Sequence, residues 1–136
     1  ASSKKRALET LSALLAAEHA TLSPERIFDQ LIKRERISST GLGHGIAIPH
    51  CRIASCEEAL GALITLRSAI DFDASDQQPV DLLFALLVPE SSTSEHLDLL
   101  ADIVTLCRDP ALIARLRESD RADHLYLAIT QWQPTP

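Results

Sequence analysis

The sequence predicts a single α/β domain in which strands separated by helices build a layered sheet. Three observations carry that reading. Apolar residues recur at helical spacing in the first and last thirds of the chain, a near-continuous apolar run fills Val80 to Val88, and three of the four glycines crowd into Gly41, Gly43 and Gly45 between them. At 136 residues the chain is long enough for one core and too short for two.

From about Lys5 to Glu18, the leucines Leu8, Leu11, Leu14 and Leu15 fall on one helical face, with Lys, Glu and Ser opposite. Ser23-Pro24 supplies an N-cap and a first-turn proline, and Ile27, Phe28, Leu31 and Ile32 follow on one face, so a second helix is expected from Pro24 to about Arg36. Lys33, Arg34 and Arg36 around Glu35 read by default as a solvated basic helix end that complements the dipole, although arginine also grips phosphoryl oxygens in pairs. The glycine cluster is expected to be a loop that permits positive φ and close approach to a ligand. It leads into Ile46-Ala47-Ile48, a short buried strand stopped by Pro49 and followed by His50.

Leu60 to Leu66 fits a second strand, and Asp73 to Pro79 is a polar turn region. Val80 to Val88 reads as the central strand, covered on both faces. Pro89 ends it, and Ser92-Thr93-Ser94-Glu95 has the form of a capping box opening a helix through Cys107, with His96 in its first turn. Asp109-Pro110 opens a short helix to about Glu118, Asp120 opens a last one through Ile129, and residues 1–4 and 131–136 are expected to fray. No repeat or low-complexity segment interrupts the domain.

Composition excludes several classes. Thirteen Lys+Arg against 19 Asp+Glu give a net charge of −6, which argues against a nucleic-acid surface. The longest apolar run, Leu82 to Val88, is far shorter than the ~20 residues of a spanning helix, so no membrane insertion is expected. The N-terminal stretch has basic residues but no continuous apolar core, and does not read as a signal peptide. Three cysteines, Cys51, Cys56 and Cys107, lack the spacing of a disulfide framework or zinc ribbon, so a reducing cytoplasm is the expected location. The chain has no Met, which suggests a start downstream of the initiator or after processing.

Of five histidines, His19, His44, His50, His96 and His124, position singles out two. His50 follows the glycine loop and a proline that pins the backbone. His96 lies in the first turn of a helix just beyond the central strand, where ligands of α/β sheets collect and where free N–H groups favour a phosphoryl group. Proximity to that helix end also favours a neutral ring, the nucleophilic form of imidazole. A metal site from His44, His50 and His96 fits poorly, because no HxH or HxxxH spacing exists. Neither a G-x-S-x-G elbow nor a Walker A sequence occurs.

The run Arg34-Glu35-Arg36-Ile37-Ser38-Ser39-Thr40-Gly41-Leu42-Gly43-His44-Gly45-Ile46-Ala47-Ile48-Pro49-His50 resembles the active-site segment of phosphotransferase-system enzyme IIA domains of the mannitol/fructose type. So does Gln78 to Pro89 followed by Glu95-His96-Leu97, and the likeness runs from the first helix to about Thr130. The resemblance implies one such domain over residues 1–136, with a mixed β-sheet flanked by helices on both faces. It implies a phosphoryl relay in which a histidine phosphocarrier protein donates to His50 through Nε2, His96 stabilises the phosphoryl group and Arg34 balances its charge. Ser39, Thr40, Gly43, His44, Gly45 and Cys51 would line the pocket. No metal or organic cofactor is implied.

Within that family the chain is most similar to the nitrogen-regulatory branch, in which phosphorylation state controls protein partners. Sugar-transporting members tend to carry Glu where His44 stands. The alternatives are a sugar-specific component that passes phosphate to a IIB domain, and a binding module of the same fold that is never phosphorylated. Two positions depart from the pattern: Cys51 replaces the usual Gly and is expected to put a thiol beside the ring, and His44 adds a titratable group near the site.

Overall fold

A computed structural model describes residues 3–17, 21–54, 59–90 and 94–118. The elements run α1 (Lys4–Ala17), α2 (Pro24–Ile37), β1 (Gly41–Gly43), β2 (Ile46–Ala47), β3 (His50–Ile53), β4 (Leu60–Ile70), β5 (Val80–Pro89), α3 (Ser94–Leu106) and α4 (Pro110–Glu118). The five strands form one mixed sheet.

The run Val80–Pro89 becomes the central strand β5, as its composition requires. β4 pairs with it antiparallel, while β2 and β3 pair with it in parallel. Ile46 opposes Leu82 and His50 opposes Leu86, the same offset of 36 residues in both ladders, so β2 and β3 lie end to end along one edge of β5. β2 ends at Ala47, as expected before the proline, and Pro49 lies in the two-residue gap before β3. It lacks the N–H that a ladder residue would give, yet its carbonyl still accepts from the Leu86 amide at 2.9 Å, and pairing resumes at once.

Alternation along this line sorts the side chains into two cores. Ala47, Cys51 and Ile53 join Leu83, Ala85 and Leu87 of β5 in the core under α1 and α2, where Leu8, Leu11, Leu15, Ile27 and Leu31 are fully buried. Ile46 and Ile48 join Leu82, Leu86 and Val88 on the other face, packed against Ile103 of α3 and Ile113 of α4. Helices thus cover both faces of the sheet.

The helix starts follow their local chemistry. Ser23 caps α2, its hydroxyl accepting the Arg26 amide at 3.3 Å with Pro24 next in line, and Asp109 caps α4 by accepting the Ala111 amide at 3.1 Å. Two parts of the sequence reading change. Gly41–Gly43, read as loop, is a short strand hairpinned to β2, and the strand expected at Leu60 to Leu66 extends to Ile70 through an irregularity in its pairing. Ser92 as a cap, Glu18, His19 and the expected helix from Asp120 to Ile129 lie outside the described residues.

Candidate functional site

His50 opens β3 at the point where the chain re-enters the ladder after Pro49. Its neighbour Cys51 points into the core beneath α1 and α2, so strand alternation sends the imidazole to the opposite face, the one that carries Ile46 and Ile48. The thiol is therefore across the sheet from the ring, not beside it. The half-buried ring is latched to its own backbone, with Nδ1 2.8 Å from the Ile48 carbonyl oxygen. A carbonyl only accepts, so Nδ1 carries the proton and Nε2 holds the lone pair. Burial lowers the pKa of His50 below the ordinary 6.5 and the Arg34 charge lowers it further, against the Ile48 carbonyl and the Glu35 charge, which raise it.

Those two charges come from the last turn of α2. The Arg34 guanidinium donates to the Ser38 carbonyl at 2.9 Å, which fixes it against the turn that leaves the helix. Glu35 takes a different course. Its basic neighbours suggest a solvated helix end, but it stands four residues after Leu31 and eight after Ile27, on the stripe that faces the core, and its side chain is only 3% exposed. Its carboxylate accepts the Thr40 amide at 3.1 Å and the Thr40 hydroxyl, and it pairs with Lys4 Nζ at 3.1 Å. The i, i+4, i+8 spacing from Ile27 was the signal that could have found it.

Thr40 completes the link to the ring. Its carbonyl accepts the Ile48 amide at 3.0 Å, so the residue whose own carbonyl holds His50 is itself held by Thr40. Ser39 is tied alongside, its hydroxyl donating to the Phe72 carbonyl at 2.7 Å and accepting the Gly41 amide at 3.1 Å. A Cβ on Gly41 would lie 2.7 Å from that of Ala74, a close approach that only glycine allows.

The remaining pocket candidates sit on the β1–β2 hairpin. Gly43, His44 and Gly45 form the tip of the β1–β2 hairpin, and His44 and Gly45 both have positive φ, 56° and 80°, as in a type I′ turn. His50 lies six residues farther on, at the start of β3. His44 is exposed; its amide donates to Asp76 at 3.1 Å and its carbonyl accepts from Arg117 of α4 at 2.7 Å. Beside this tip, Leu42, Ile46, Val104 and Ile113 help to wall a cavity of about 730 Å³. His96 is the third residue of α3, and its side chain lies outside those described.

Two stretches of the chain are thus tied to one strand junction: the end of α2 and the Ile48–His50 turn. The family model of the phosphoenolpyruvate-dependent sugar phosphotransferase system, EIIA 2, matches residues 1–132. The chain belongs to this EIIA family. A nitrogen regulatory protein of Pseudomonas aeruginosa is 45% identical over 131 residues, covering 96% of this chain and 85% of that protein. The crystal structure of nitrogen regulatory protein IIA-Ntr from Neisseria meningitidis is 41% identical, with a TM-score of 0.82 over 91% of this chain and 84% of that one. IIA mannitol from Escherichia coli shares the fold at 18% identity, with a TM-score of 0.71 over 90% of this chain and 86% of that one. The mixed sheet expected from the sequence is the fold of these EIIA proteins, and the nitrogen-regulatory likeness extends over nearly the whole chain. No helix of the described residues is long and apolar enough to cross a membrane.

Proposed function

We propose that this EIIA domain is a phosphoryl carrier in which Nε2 of His50 accepts the phosphoryl group of a phosphohistidine on a histidine phosphocarrier protein. In that step the P–N bond of the donor breaks, its imidazole leaves with the electron pair, and a new P–N bond forms at Nε2. The Nδ1–H bond to Ile48 supports this reading more than any other observation. It leaves Nε2 as the basic nitrogen, and burial beside Arg34 keeps the ring neutral and nucleophilic.

Once the phosphoryl group is in place, Arg34 balances its charge, and His96 stabilises it from the first turn of α3, where unpaired amides and the helix dipole also favour an anion. Ser39 and Thr40 line the same junction. The output is regulatory: the phosphorylated and free forms bind different partners, in keeping with the nitrogen-regulatory relatives. The site of action is the cytoplasm.

Incubation with the general phosphotransferase enzyme, its histidine phosphocarrier protein and labelled phosphoenolpyruvate tests the reading. One acid-labile, base-stable phosphate per chain, lost in His50→Ala, is expected. No label on the wild type, or full labelling of His50→Ala, would remove His50 as the acceptor. Onward transfer to a IIB domain would place the chain in a sugar-transport relay.

A further inference from the structure

Among the described residues, only Ser12, Glu35 and Thr40 are buried polar or charged groups. Ser12 returns its hydroxyl to the Leu8 carbonyl within its own helix. The other two are bonded to each other, and they are the pair nearest in chain bonding to the His50 junction. A buried ion pair is an expensive way to hold a fold, because desolvation offsets most of the attraction and apolar residues of the same volume do as well or better. Stability alone does not explain a carboxylate on the core stripe of α2.

We propose that Glu35, held by Lys4, is a positioning residue for His50: through Thr40 and the backbone of Ile48 it fixes the acceptor ring in one orientation and one tautomer. The proposal rests on the reading of His50 as phosphoryl acceptor. The route is continuous. Lys4 meets Glu35 at 3.1 Å, Glu35 takes both the amide and the hydroxyl of Thr40, the Thr40 carbonyl takes the Ile48 amide at 3.0 Å, and the Ile48 carbonyl takes Nδ1 of His50 at 2.8 Å.

Two features make this chain of bonds directional. Pro49 has no N–H to give the sheet, so the Ile48 carbonyl sits between two anchored points, the Ile48 amide on the Thr40 carbonyl and the Pro49 carbonyl on the Leu86 amide. Lys4 also stacks 4.5 Å from the centre of the Phe72 ring and meets the Phe72 carbonyl at 3.5 Å, which restrains the ammonium that pairs with Glu35. Arg34, one residue before Glu35, acts on the ring through its charge and shares none of these bonds.

Three variants separate positioning from simple support. Glu35→Gln keeps the shape and one acceptor for the Thr40 amide but removes the charge. Thr40→Val removes the hydroxyl and keeps the carbonyl, and Thr40→Ser restores the hydroxyl. Phosphoryl acceptance from the phosphorylated carrier protein, the ring nitrogen chemical shifts of His50 and the melting temperature are measured on each. Glu35→Gln and Thr40→Val are expected to lower kcat by about tenfold or more with KM for the carrier unchanged, since small misplacements of a reacting atom cost that much. Their His50 nitrogens should show mixed tautomers, and the ring should titrate lower in Glu35→Gln; Thr40→Ser should restore wild-type behaviour. Wild-type kcat and a single Nδ1–H tautomer in both variants, or a rate loss that only follows unfolded protein, would overturn the proposal. A wild type that takes no label would instead overturn the acceptor reading, while the nitrogen shifts would still decide whether Glu35 orients the ring.

Discussion

His50 donates its Nδ1 proton to the carbonyl of Ile48, two residues behind it, at 2.8 Å. The bond leaves Nε2 as the basic nitrogen of the ring. The phosphoryl adduct is expected at Nε2, and two-dimensional nitrogen–phosphorus NMR of the labelled protein would locate it. A phosphorus coupling to Nδ1 would require the Ile48 bond to break before transfer and would refute the assignment.

The pH dependence follows from the same ring. Burial first, then Arg34, lowers the His50 pKa below 6.5, so the ring stays neutral and its contribution to phosphoryl acceptance stays level as pH falls towards 6.5. It declines only below that value. In the window below 6.5 the unfolded chain binds the proton that the native ring refuses, so stability also falls as the pH drops through it. Arg34→Gln removes a lowering charge; its His50 should titrate higher and its acceptance should begin to fail at a higher pH. NMR titration of the ring and acceptance rates at stepped pH check both, and an unmoved midpoint in the variant would exclude Arg34 from the ring's surroundings.

The hairpin tip is a stability element. A Cβ on Gly45 would lie 2.7 Å from Arg117 Nη2 at a φ of 80°. Arg117 also grips Asp81 at 2.9 Å and the His44 carbonyl at 2.7 Å. Gly45→Ala is expected to cost about 1–2 kcal/mol from the backbone conformation, and more from loosening α4. Thermal unfolding should show a midpoint roughly 2–8 °C lower, and an unchanged midpoint would mean that the turn relaxes without strain.

Cys107 offers a chemical probe of packing. Burial raises its thiol from 9.0 to about 11, which at pH 8 leaves about 100-fold less thiolate than an open cysteine. Peptide-resolved alkylation with iodoacetamide should label it slowly in the native protein and rapidly in denaturant. Equal rates in both states would show that the face between α3 and the sheet opens freely.

Much of this architecture is legible in the residues. Ser23-Pro24 begins α2, and Val80 to Pro89 is central because it must be buried on both sides. The rest is not legible because neighbours in the chain are not neighbours in space and charge does not by itself mean solvent. Cys51 follows His50 in the chain, but a strand turns consecutive side chains to opposite faces. Pro49 does end the short strand before it, but the sequence does not show that pairing with β5 resumes at His50 in the same register. His44 belongs to the same motif as His50, and its positive φ makes it a turn residue, which the sequence does not announce. Glu35 was hidden among basic neighbours because charge suggested solvent, whereas its spacing from Ile27 and Leu31 placed it inside.

The unbroken register of β2 and β3 along β5 also bears on how a relay of this kind must work. A reacting group on a long side chain or a loop can swing between stations. His50 is a short side chain on a strand paired residue for residue with the middle of the sheet, and its ring is tied to its own backbone. Such a group is a fixed post. With His50 as the proposed phosphoryl acceptor, donor and recipient proteins would each have to bring their reacting atoms to it, in turn and at the same spot, so one partner's occupancy would exclude the other's, and the order of exchange would be set by traffic at a single berth.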